Sequence, residues 1–467
     1  MNRPPTPPEQ EMTTILDLVL INARLMLPGQ GLTEGILGVR DGRIVLIAEP
    51  GDAPAARETI DCQGLWVLPG LIDPHVHFGF GSPETDFETE SRFAALGGTT
   101  SVLSFHRSAD IRESFDAVRE RALAQSCVDF GFHFGITSHL HVDTLEDISR
   151  RFGVSSYKLY MMYKGAAGLS KGFTDIDDGL LYSALKTTAA IPGAIMGVHC
   201  ENVEVIPVLR DPLRAAGRDD LKAWNEQSPD FLEAENVHRV CYFANKVGAA
   251  VNIVHLSSRE ALDEARRHRR TPGAPPIYVE TCPHYLFLND ESPAGTYAKV
   301  NPPVRGQDDV EAMWEGVLDG SITTIGTDHV PRKRVTKDKD IWAATNGFPG
   351  TGLMLPILLH EGYHRRGVPL ETLMKVAAEN SARIYRMPGK GSIEIGKDAD
   401  LVVVDPDLER VVDPATLESN SDYSPYEGMT LKGWPVRTLV RGRTIALDGR
   451  ITDQARAEPG GRYLNRF

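Results

Sequence analysis

The sequence lacks the features that mark membrane and secreted proteins. No run of about 20 apolar residues, the length that spans a bilayer, occurs among its 467 residues. Residues 1–11 are rich in proline and polar residues and have no apolar core of the signal-peptide kind. We therefore expect residues 1–12 to be a disordered lead, the protein to be cytoplasmic, and no membrane to be among its partners.

Cysteine and basic residues are also scarce. The five cysteines lie far apart and form no C-x-x-C pair, a pattern that favours free thiols in a reducing compartment. Lys and Arg number 50 against 64 Asp and Glu, so the formal net charge is −14, and the charges are interspersed. This balance argues against nucleic acid or an anionic membrane surface as the main partner. What remains is a globular protein long enough for a large enzyme domain and a smaller one.

Both ends of the chain have a sequence pattern typical of β-strands. Short apolar or alternating runs recur up to Val67, for example residues 17–21 and 43–47, and turn residues such as Asp41-Gly42 separate them. This pattern predicts a set of antiparallel strands, and the same pattern recurs after residue 388. We expect residues 13–67 and 388–467 to form one small β-sandwich domain, with residues 68–387 inserted between its halves.

The middle of the chain alternates short apolar runs with helical segments, the pattern of βα units around a parallel sheet. Helices are predicted at residues 86–96, 111–124, 177–190, 259–270 and 308–318, with extra helices within 207–247. A doubly wound sheet is the alternative, but no Gly-rich phosphate turn follows the first strand. The α/β class with a (β/α)₈ TIM-like barrel is favoured. The eight predicted strands are 71–77, 99–105, 129–136, 156–161, 194–199, 250–256, 277–282 and 321–327.

Metal-binding side chains stand where several of these strands end, which is where such barrels hold their chemistry. His75 and His77 share one face of the first strand, and neutral imidazoles are good ligands for zinc. The fifth, sixth and eighth strands lead to His199, His255 and Asp328. Their coincidence on one rim predicts a metal site, whereas we interpret His106 and His133 as ordinary rim or capping residues.

Lys158, in the apolar strand of residues 157–161, has two interpretations. As a cation with a free pKa near ~10.4 it would repel a metal, so its stem could lie along the strand with the ammonium reaching solvent or an acid. Alternatively, the neutral amine has reacted with CO₂. The resulting carbamate is an anion whose two oxygens can bridge two metals.

Taken together, these residues resemble the amidohydrolase superfamily in its cyclic amidohydrolase branch. That branch holds the dihydropyrimidinases and hydantoinases, with allantoinases and dihydroorotases as relatives. The resemblance runs from about residue 15 to the C-terminus. It rests on segments 70–77, 157–165, 199–202, 254–257, 280–286, 301–305, 326–329 and 391–401.

The resemblance implies a binuclear metal-dependent hydrolase. His75, His77 and Asp328 would hold one divalent metal ion and His199 and His255 the other. Lys158, as N6-carboxylysine, and a hydroxide would bridge the two. Zinc fits this donor set, and manganese, cobalt or iron would be tolerated.

The implied reaction opens a hydantoin or dihydropyrimidine ring. The metal-bridging hydroxide attacks the ring carbonyl, and the product is an N-carbamoyl amino acid. Tyr163 matches the family's donor to the oxyanion, and Asp328 would accept a proton and pass it to the departing ring nitrogen.

The resemblance narrows the substrate less. Dihydroorotases carry an arginine two residues after the H-x-H pair, where this chain has Gly79, and residues 78–81 include no fixed cation. We therefore expect a carboxylated ring to be held poorly, which favours hydantoins or dihydropyrimidines. Asn301 and His284, in contrast, resemble the residues that dihydroorotases have at these positions. Backbone groups near Asn301 and Asn346 would contact the ring, and Phe78 and Tyr160 would shape the pocket.

Several alternatives stay open. The rival enzymes are an allantoinase, a dihydroorotase-like enzyme or another cyclic-imide hydrolase. The non-enzymatic rival is a scaffold like the metal-free dihydropyrimidinase-related proteins, which lack the ligands, whereas every ligand position is filled here. The resemblance also implies a homodimer or homotetramer. The tail, residues 460–467, either takes part in that assembly or frays.

Overall fold

The computed structural model of the chain describes residues 15–163, 168 and 176–467. The predicted lead at residues 1–12 lies outside the described residues, as do Lys164 and Gly165 of the segment that contains Lys158. Two sheets organise the rest, one parallel with eight strands and one mixed with nine. The domain boundaries stay predictions.

Five strands precede the barrel. A tight turn at Asp41-Gly42 joins the second and third, and both turn residues have positive φ (52° and 74°), as a two-residue hairpin requires. The prediction of antiparallel strands is confirmed for the first three strands. It was wrong for the fourth and fifth strands, which pair with the first in parallel. Residues 49–55 carry the chain back to the start of the first strand, and alternation along a strand does not encode its direction. The strands are β1 (Leu16–Leu27), β2 (Gly31–Arg40), β3 (Arg43–Ala48), β4 (Ala56–Asp61) and β5 (Trp66–Pro69).

The next eight strands form the predicted barrel. Each pairs in parallel with the next along the chain, and a bridge between Val76 and His329 joins the first strand to the segment after the last. The strands are buried on both faces, which explains their nearly continuous apolar runs. They are β6 (Leu71–Val76), β7 (Thr99–His106), β8 (Asp129–Gly135), β9 (Ser156–Tyr160), β10 (Ile195–His199), β11 (Val251–Ile253), β12 (Ile277–Thr281) and β13 (Thr324–Ile325).

Helices surround the barrel, and caps define their ends. The side chains of Asp110, Asp177 and Asp220 accept hydrogen bonds from backbone N–H groups in the first turn of the helices they precede. The extra helices predicted within residues 207–247 are present. The helices are α1 (Asp86–Leu96), α2 (Ile111–Gln125), α3 (His139–Phe152), α4 (Asp178–Ala190), α5 (Ile206–Ala215), α6 (Leu221–Glu226), α7 (Asp230–Val247), α8 (Arg259–Arg269) and α9 (Gln307–Asp319).

One of these helices, α3, is missing from the predicted set, although its buried apolar residues repeat at helical spacing. After β13 the chain is again helical, and π-helical turns at Leu358–Arg365 and Lys375–Glu379 interrupt the regular helices. The regular segments are α10 (Met354–Ile357), α11 (Leu370–Met374) and α12 (Asn380–Ile384), and α13 (Asp453–Ala457) lies near the C-terminus.

The last strands return to the first sheet, as predicted. β5 pairs with β14, so the two ends of the chain share one mixed sheet. The remaining strands extend it by antiparallel pairing. The strands are β14 (Leu401–Val411), β15 (Thr430–Val440), β16 (Arg443–Leu447) and β17 (Arg450–Ile451).

The C-terminal tail closes the amino-terminal end of the barrel. The Arg466 side chain is 2% exposed and donates to Ser156 Oγ at 2.8 Å and to the carbonyl oxygen of Phe132. The backbone N–H of Leu464 donates to the Phe130 carbonyl at 2.8 Å. The tail is therefore not frayed.

The expectation of free thiols agrees with the cysteine side chains. All five cysteines are buried and free. Among the described residues, no helix combines the length and the apolar character that crossing a membrane requires.

Candidate metal centre and active site

The carboxyl ends of the barrel strands surround a cavity of about 400 Å³, a volume typical of small-molecule sites. All six side chains predicted to hold metal line it. They are His75, His77, Lys158, His199, His255 and Asp328.

Three of these side chains converge on one point. The Nε2 atoms of His75 and His77 lie 3.1 and 2.9 Å from Asp328 Oδ1. Glu280 Oε1 lies 2.6 Å from His75 Nδ1, so the carboxylate accepts the Nδ1 proton and leaves Nε2 facing the Asp328 oxygen. A lone pair facing a carboxylate oxygen is unfavourable unless a cation or a proton lies between them. Two imidazoles and a carboxylate arranged in this way fit a divalent metal.

The other three side chains form a second group beside the first. His199 Nδ1 lies 2.9 Å from His255 Nε2, and Lys158 Nζ lies 3.4 Å from the same His255 atom. The ring centroids of His75 and His255 are 5.3 Å apart, so the two groups share one wall. Lys158 therefore stands beside a second pair of imidazole donors.

Burial sets the protonation states. It lowers the pKa of His77 to about 4 and lowers those of His199 and His255, so these imidazoles are neutral, the form that binds metal. Burial acts to raise the pKa of Asp328, but His75 and His77 hold it well below the ordinary value. Burial also lowers the pKa of Lys158 to about 8.

The backbone is unusual at two of these positions. His255 and Asp328 have φ values of 41° and 49°, in the left-handed region that costs a non-glycine residue about 1–3 kcal/mol. Before Asp328, the backbone N–H and the hydroxyl of Thr327 both donate to the buried carboxylate of Asp73, at 3.0 and 2.6 Å. These bonds join the first barrel strand to the segment that follows the last one and hold Asp328 at the mouth.

A buried pair supports the other side of Asp328. His329 Nε2 lies 3.0 Å from Glu90 Oε2, and both side chains are fully buried. The backbone N–H of Gly350 donates to His329 Nδ1 at 3.0 Å, which leaves the ring proton on Nε2, facing Glu90. Neither this pair nor Glu280 could be predicted from the sequence, because their roles depend on contacts between distant segments.

Four of the five predicted substrate contacts line the cavity: Tyr160, Tyr163, Asn301 and Asn346. The Oδ1 atoms of both asparagines are buried and accept no hydrogen bond from the part of the chain that the structure describes. They are therefore available to a donor on a bound molecule.

Phe78 is the exception, because its ring packs on Phe87 and His329 instead of lining the cavity. His77 points inward at the end of its strand, so the next side chain points away, and Gly79, with φ 90°, then turns the chain. Phe80 contributes the aromatic wall in its place.

Two arginines at the mouth were not predicted. Arg107 and Arg332 line the cavity, although residues 78–81 carry no cation. The expectation that a carboxylated ring is held poorly was based on residues 78–81 alone. Arg107 directly follows β7, so the strand-end rule that identified the metal donors would also have found it.

The two histidines interpreted as ordinary residues have ordinary partners. His106 Nε2 lies 2.9 Å from Ser114 Oγ, and His133 Nε2 donates to the carbonyl oxygen of Pro74 at 2.9 Å. Neither side chain belongs to the two donor groups.

Comparison with known proteins yields matches along nearly the whole chain. Residues 219–445 match the Amidohydrolase family. The chain is 36% identical to an allantoinase of Rubrobacter xylanophilus, over 92% of this chain and 93% of that protein. It is 36% identical to a dihydroorotase of Halobacterium salinarum, over 83% and 90%. The solved structure of an L-hydantoinase (dihydropyrimidinase) from Arthrobacter aurescens superimposes with a TM-score of 0.87 at 28% identity, covering 96% of this chain and 99% of that one.

Proposed function

The chain belongs to the amidohydrolase family, in its cyclic amidohydrolase branch, and from this premise we propose that it opens a hydantoin or dihydropyrimidine ring to give an N-carbamoyl amino acid. It is a hydrolase of the C–N bonds of cyclic amides. The observation that carries the proposal is the convergence of six metal-type donors on one cavity of ligand size.

The two donor groups would hold two divalent cations, for which zinc is the best match. His75, His77 and Asp328 would hold the first, and His199 and His255 the second, with Lys158 between them. When bound, such a pair lowers the pKa of water and polarises an amide carbonyl, which are the two requirements of amide hydrolysis.

Lys158 acts as a carbamate in this proposal. Its pKa of about 8 leaves part of the amine neutral at physiological pH, and the nitrogen lone pair can then bond to the carbon of CO₂. One proton is released, and the product is an anion with two oxygens. This anion replaces a buried cation that otherwise stands 3.4 Å from an imidazole nitrogen.

Asp328 moves the proton. Its carboxylate is ionised and held at the mouth by the Thr327–Asp73 contacts. It accepts a proton from the attacking water and passes it to the ring nitrogen as the C–N bond breaks. Without that proton the nitrogen would depart as a poor, anionic leaving group.

The remaining residues orient the ring. The hydroxyl of Tyr163 donates to the oxygen that becomes negative during attack. The acceptor oxygens of Asn301 and Asn346 suit the N–H groups of a cyclic imide or ureide, and Tyr160 and Phe80 pack on its substituent. We also propose a homodimer or homotetramer, in keeping with the family.

The test is a substrate panel with metal quantitation on the same sample. Hydantoin, dihydrouracil, allantoin, dihydroorotate and succinimide are offered to protein reconstituted with zinc and bicarbonate. We expect about two zinc ions per chain and turnover of hydantoin or dihydrouracil. Turnover of dihydroorotate alone would contradict the proposed ring, and less than one bound metal would favour the non-enzymatic scaffold.

A further inference from the structure

Another group of metal-type side chains lies outside the cavity, between the helices α7 and α8. His238 is on α7, and Glu264 and His268 are on α8, one helical turn apart. Residues four apart share one face of a helix, so the carboxylate and the second imidazole can approach His238 together. None of these three side chains lines the cavity that holds the two donor groups.

The three ligand atoms are spaced nearly as the corners of a zinc tetrahedron. His238 Nδ1 lies 3.0 Å from His268 Nε2 and 3.3 Å from Glu264 Oε2, and the last two atoms are 4.0 Å apart. Ligands about 2.0–2.1 Å from one zinc ion, at the tetrahedral angle, are about 3.3–3.4 Å from each other. One ion therefore fits after small movements of the His238 and Glu264 side chains, which are 46% and 23% exposed.

The guanidinium of Arg267 marks the position of a cation in this group. Its Nη2 atom lies 2.7 Å from His238 Nδ1 and 2.6 Å from Glu264 Oε2. The Arg267 side chain is 61% exposed, and an exposed ion pair contributes little to stability. The ammonium of Lys390, which also lies among carboxylates, is by contrast 4% exposed. A divalent ion can therefore displace Arg267, whereas Lys390 is enclosed.

The lone pair of His238 Nδ1 has two competing neighbours. Since a guanidinium can only donate, Nδ1 accepts the hydrogen bond from Arg267. His268 Nε2 lies 3.0 Å from the same Nδ1 atom. If this Nε2 is protonated, it competes with Arg267 for the lone pair, and if it is not, two nitrogen lone pairs face each other. A metal ion bound by both rings removes the conflict.

Asn245 favours the form in which His268 Nε2 is unprotonated. Its Nδ2 atom lies 3.2 Å from His268 Nδ1, while its buried Oδ1 accepts no hydrogen bond from the described residues. Turning the amide over lets Oδ1 accept the Nδ1 proton of His268, and the Nε2 lone pair then points at the group. A metal-bound histidine usually donates its other ring proton to an oxygen in this way.

We infer that His238, Glu264 and His268 bind a divalent transition-metal ion on the outside of the barrel, with zinc as the best match. Imidazole nitrogen suits such ions, whereas Mg²⁺ and Ca²⁺ prefer oxygen ligands. The site goes beyond the proposed function and does not depend on it.

The bound ion stabilises the fold and takes no part in hydrolysis. It links α7 to α8, and α7 also carries Glu233, whose carboxylate accepts hydrogen bonds from the hydroxyls of Ser257 and Ser258 at 2.8 and 2.6 Å. These serines lie between His255 and the start of α8. An ion that binds only the folded chain raises the temperature of unfolding as its concentration rises.

Zinc counts at equilibrium test the site. The full-length chain is loaded with zinc, freed of excess metal, and then dialysed against buffers of increasing free zinc. We expect one further ion per chain, bound in the micromolar range because three ligands at a partly exposed site hold it, and released again in zinc-free buffer. Excess Mg²⁺ should not displace this ion, and the midpoint of thermal unfolding should rise over the same range of zinc.

Variants identify the ligands. His238→Asn and Glu264→Gln each remove one ligand and should lose both the further ion and the rise in the unfolding midpoint. His139→Asn changes an exposed histidine of α3 and is the matched control, which should keep both. Arg267→Gln removes the competing guanidinium and should lower the Kd for zinc by about 3- to 10-fold, a gain that misfolding cannot produce.

Each result is a difference between a variant and the unmodified chain, so ions in the cavity do not enter it. An unchanged zinc count in His238→Asn or Glu264→Gln would overturn the site, as would displacement by Mg²⁺ or weaker zinc binding in Arg267→Gln. Equal loss of the ion from His139→Asn would mean adventitious surface binding and would also overturn it. Failure to hydrolyse any cyclic amide would contradict the proposed function alone.

Discussion

Two lysines are buried at opposite ends of the barrel, with opposite consequences. Lys390, at the amino-terminal end, contacts three carboxylates, at 2.5 Å for Asp129, 2.6 Å for Asp400 and 3.0 Å for Asp398. Burial acts to lower its pKa, but these carboxylates raise it instead. Lys158, at the mouth, has an imidazole nitrogen at 3.4 Å, and burial lowers its pKa to about 8.

The difference distinguishes a structural charge from a reactive one. At the Lys390 end, each buried charge is compensated, since Arg441 also pairs with Asp129. Three carboxylates around Lys390 form the shape of a metal site, but the ammonium already supplies the cation. At the Lys158 end, the hydrogen-bond partner of the ammonium among the described residues is an imidazole nitrogen and not a carboxylate, and the other donors face one another. Buried polar groups whose charges lack a compensating partner indicate the functional end of this barrel, whereas burial of a polar group alone does not.

The largest expected effect is that of Lys158→Ala. The variant should lose bridged metal and nearly all activity, because no anion then joins the two donor groups. Short carboxylic acids should restore part of the activity by supplying the missing oxygens. Mass-spectrometric metal counts and hydrolysis rates with and without propionate measure both, and full activity without added acid would exclude the carbamate.

Lys390→Met should act on stability and not on metal. It leaves buried carboxylates without their cation, so we expect a loss of about 3–5 kcal/mol in the free energy of unfolding. Urea unfolding measures the loss. Lys397→Met, which removes the half-buried partner of the exposed Glu394, is the control and should cost at most about 1 kcal/mol. A fall in zinc content of the folded Lys390 variant would mean that the two ends are not independent.

Tyr163→Phe tests a single donor at the mouth. Loss of one hydrogen bond to the developing oxyanion should lower kcat by about 10²–10³-fold, while metal content and stability stay unchanged. Tyr182→Phe alters an exposed tyrosine and should leave kcat unchanged. A decrease below threefold in the Tyr163 variant would make that residue a packing residue.

Glu280→Gln has the smallest expected effect, because it changes a group that orients a ligand. The amide keeps the size of the side chain but removes the charge that fixes the Nδ1 proton of His75, so metal affinity should fall about 10- to 100-fold. Zinc titration against a competing chelator measures it. Glu201→Gln, beside His199, should instead lower the metal affinity of the donor group that contains His199 and His255. Equal losses of metal affinity at both donor groups would argue that the two groups do not bind metal separately.

The barrel and the metal-type side chains at the ends of its strands could be predicted from the sequence because both depend on local pattern. The carboxyl ends of parallel barrel strands lie at the same end of the barrel, so the place of a histidine at a strand end can be predicted. Strand alternation alone was enough to predict that His75 and His77 share one face. The same alternation turns Phe78 away from the cavity. Arg332 could not be predicted in this way, since its position depends on how the loop after β13 folds over the mouth.

The sequence by itself determined the order of the barrel strands, the sheet shared by both chain ends, the overall balance of charge and the metal-type side chains at the strand ends, because these follow from residue type and periodicity along the chain. The role of Lys158 as a ligand came from the family resemblance. Tertiary structure decided which buried charges are compensated, which strands pair in parallel with β1, and that two arginines enter the cavity. Those outcomes depend on distances between segments that lie hundreds of residues apart, and electrostatic energies change steeply with such distances. The same residue type therefore serves stability at one end of the barrel and is available for chemistry at the other.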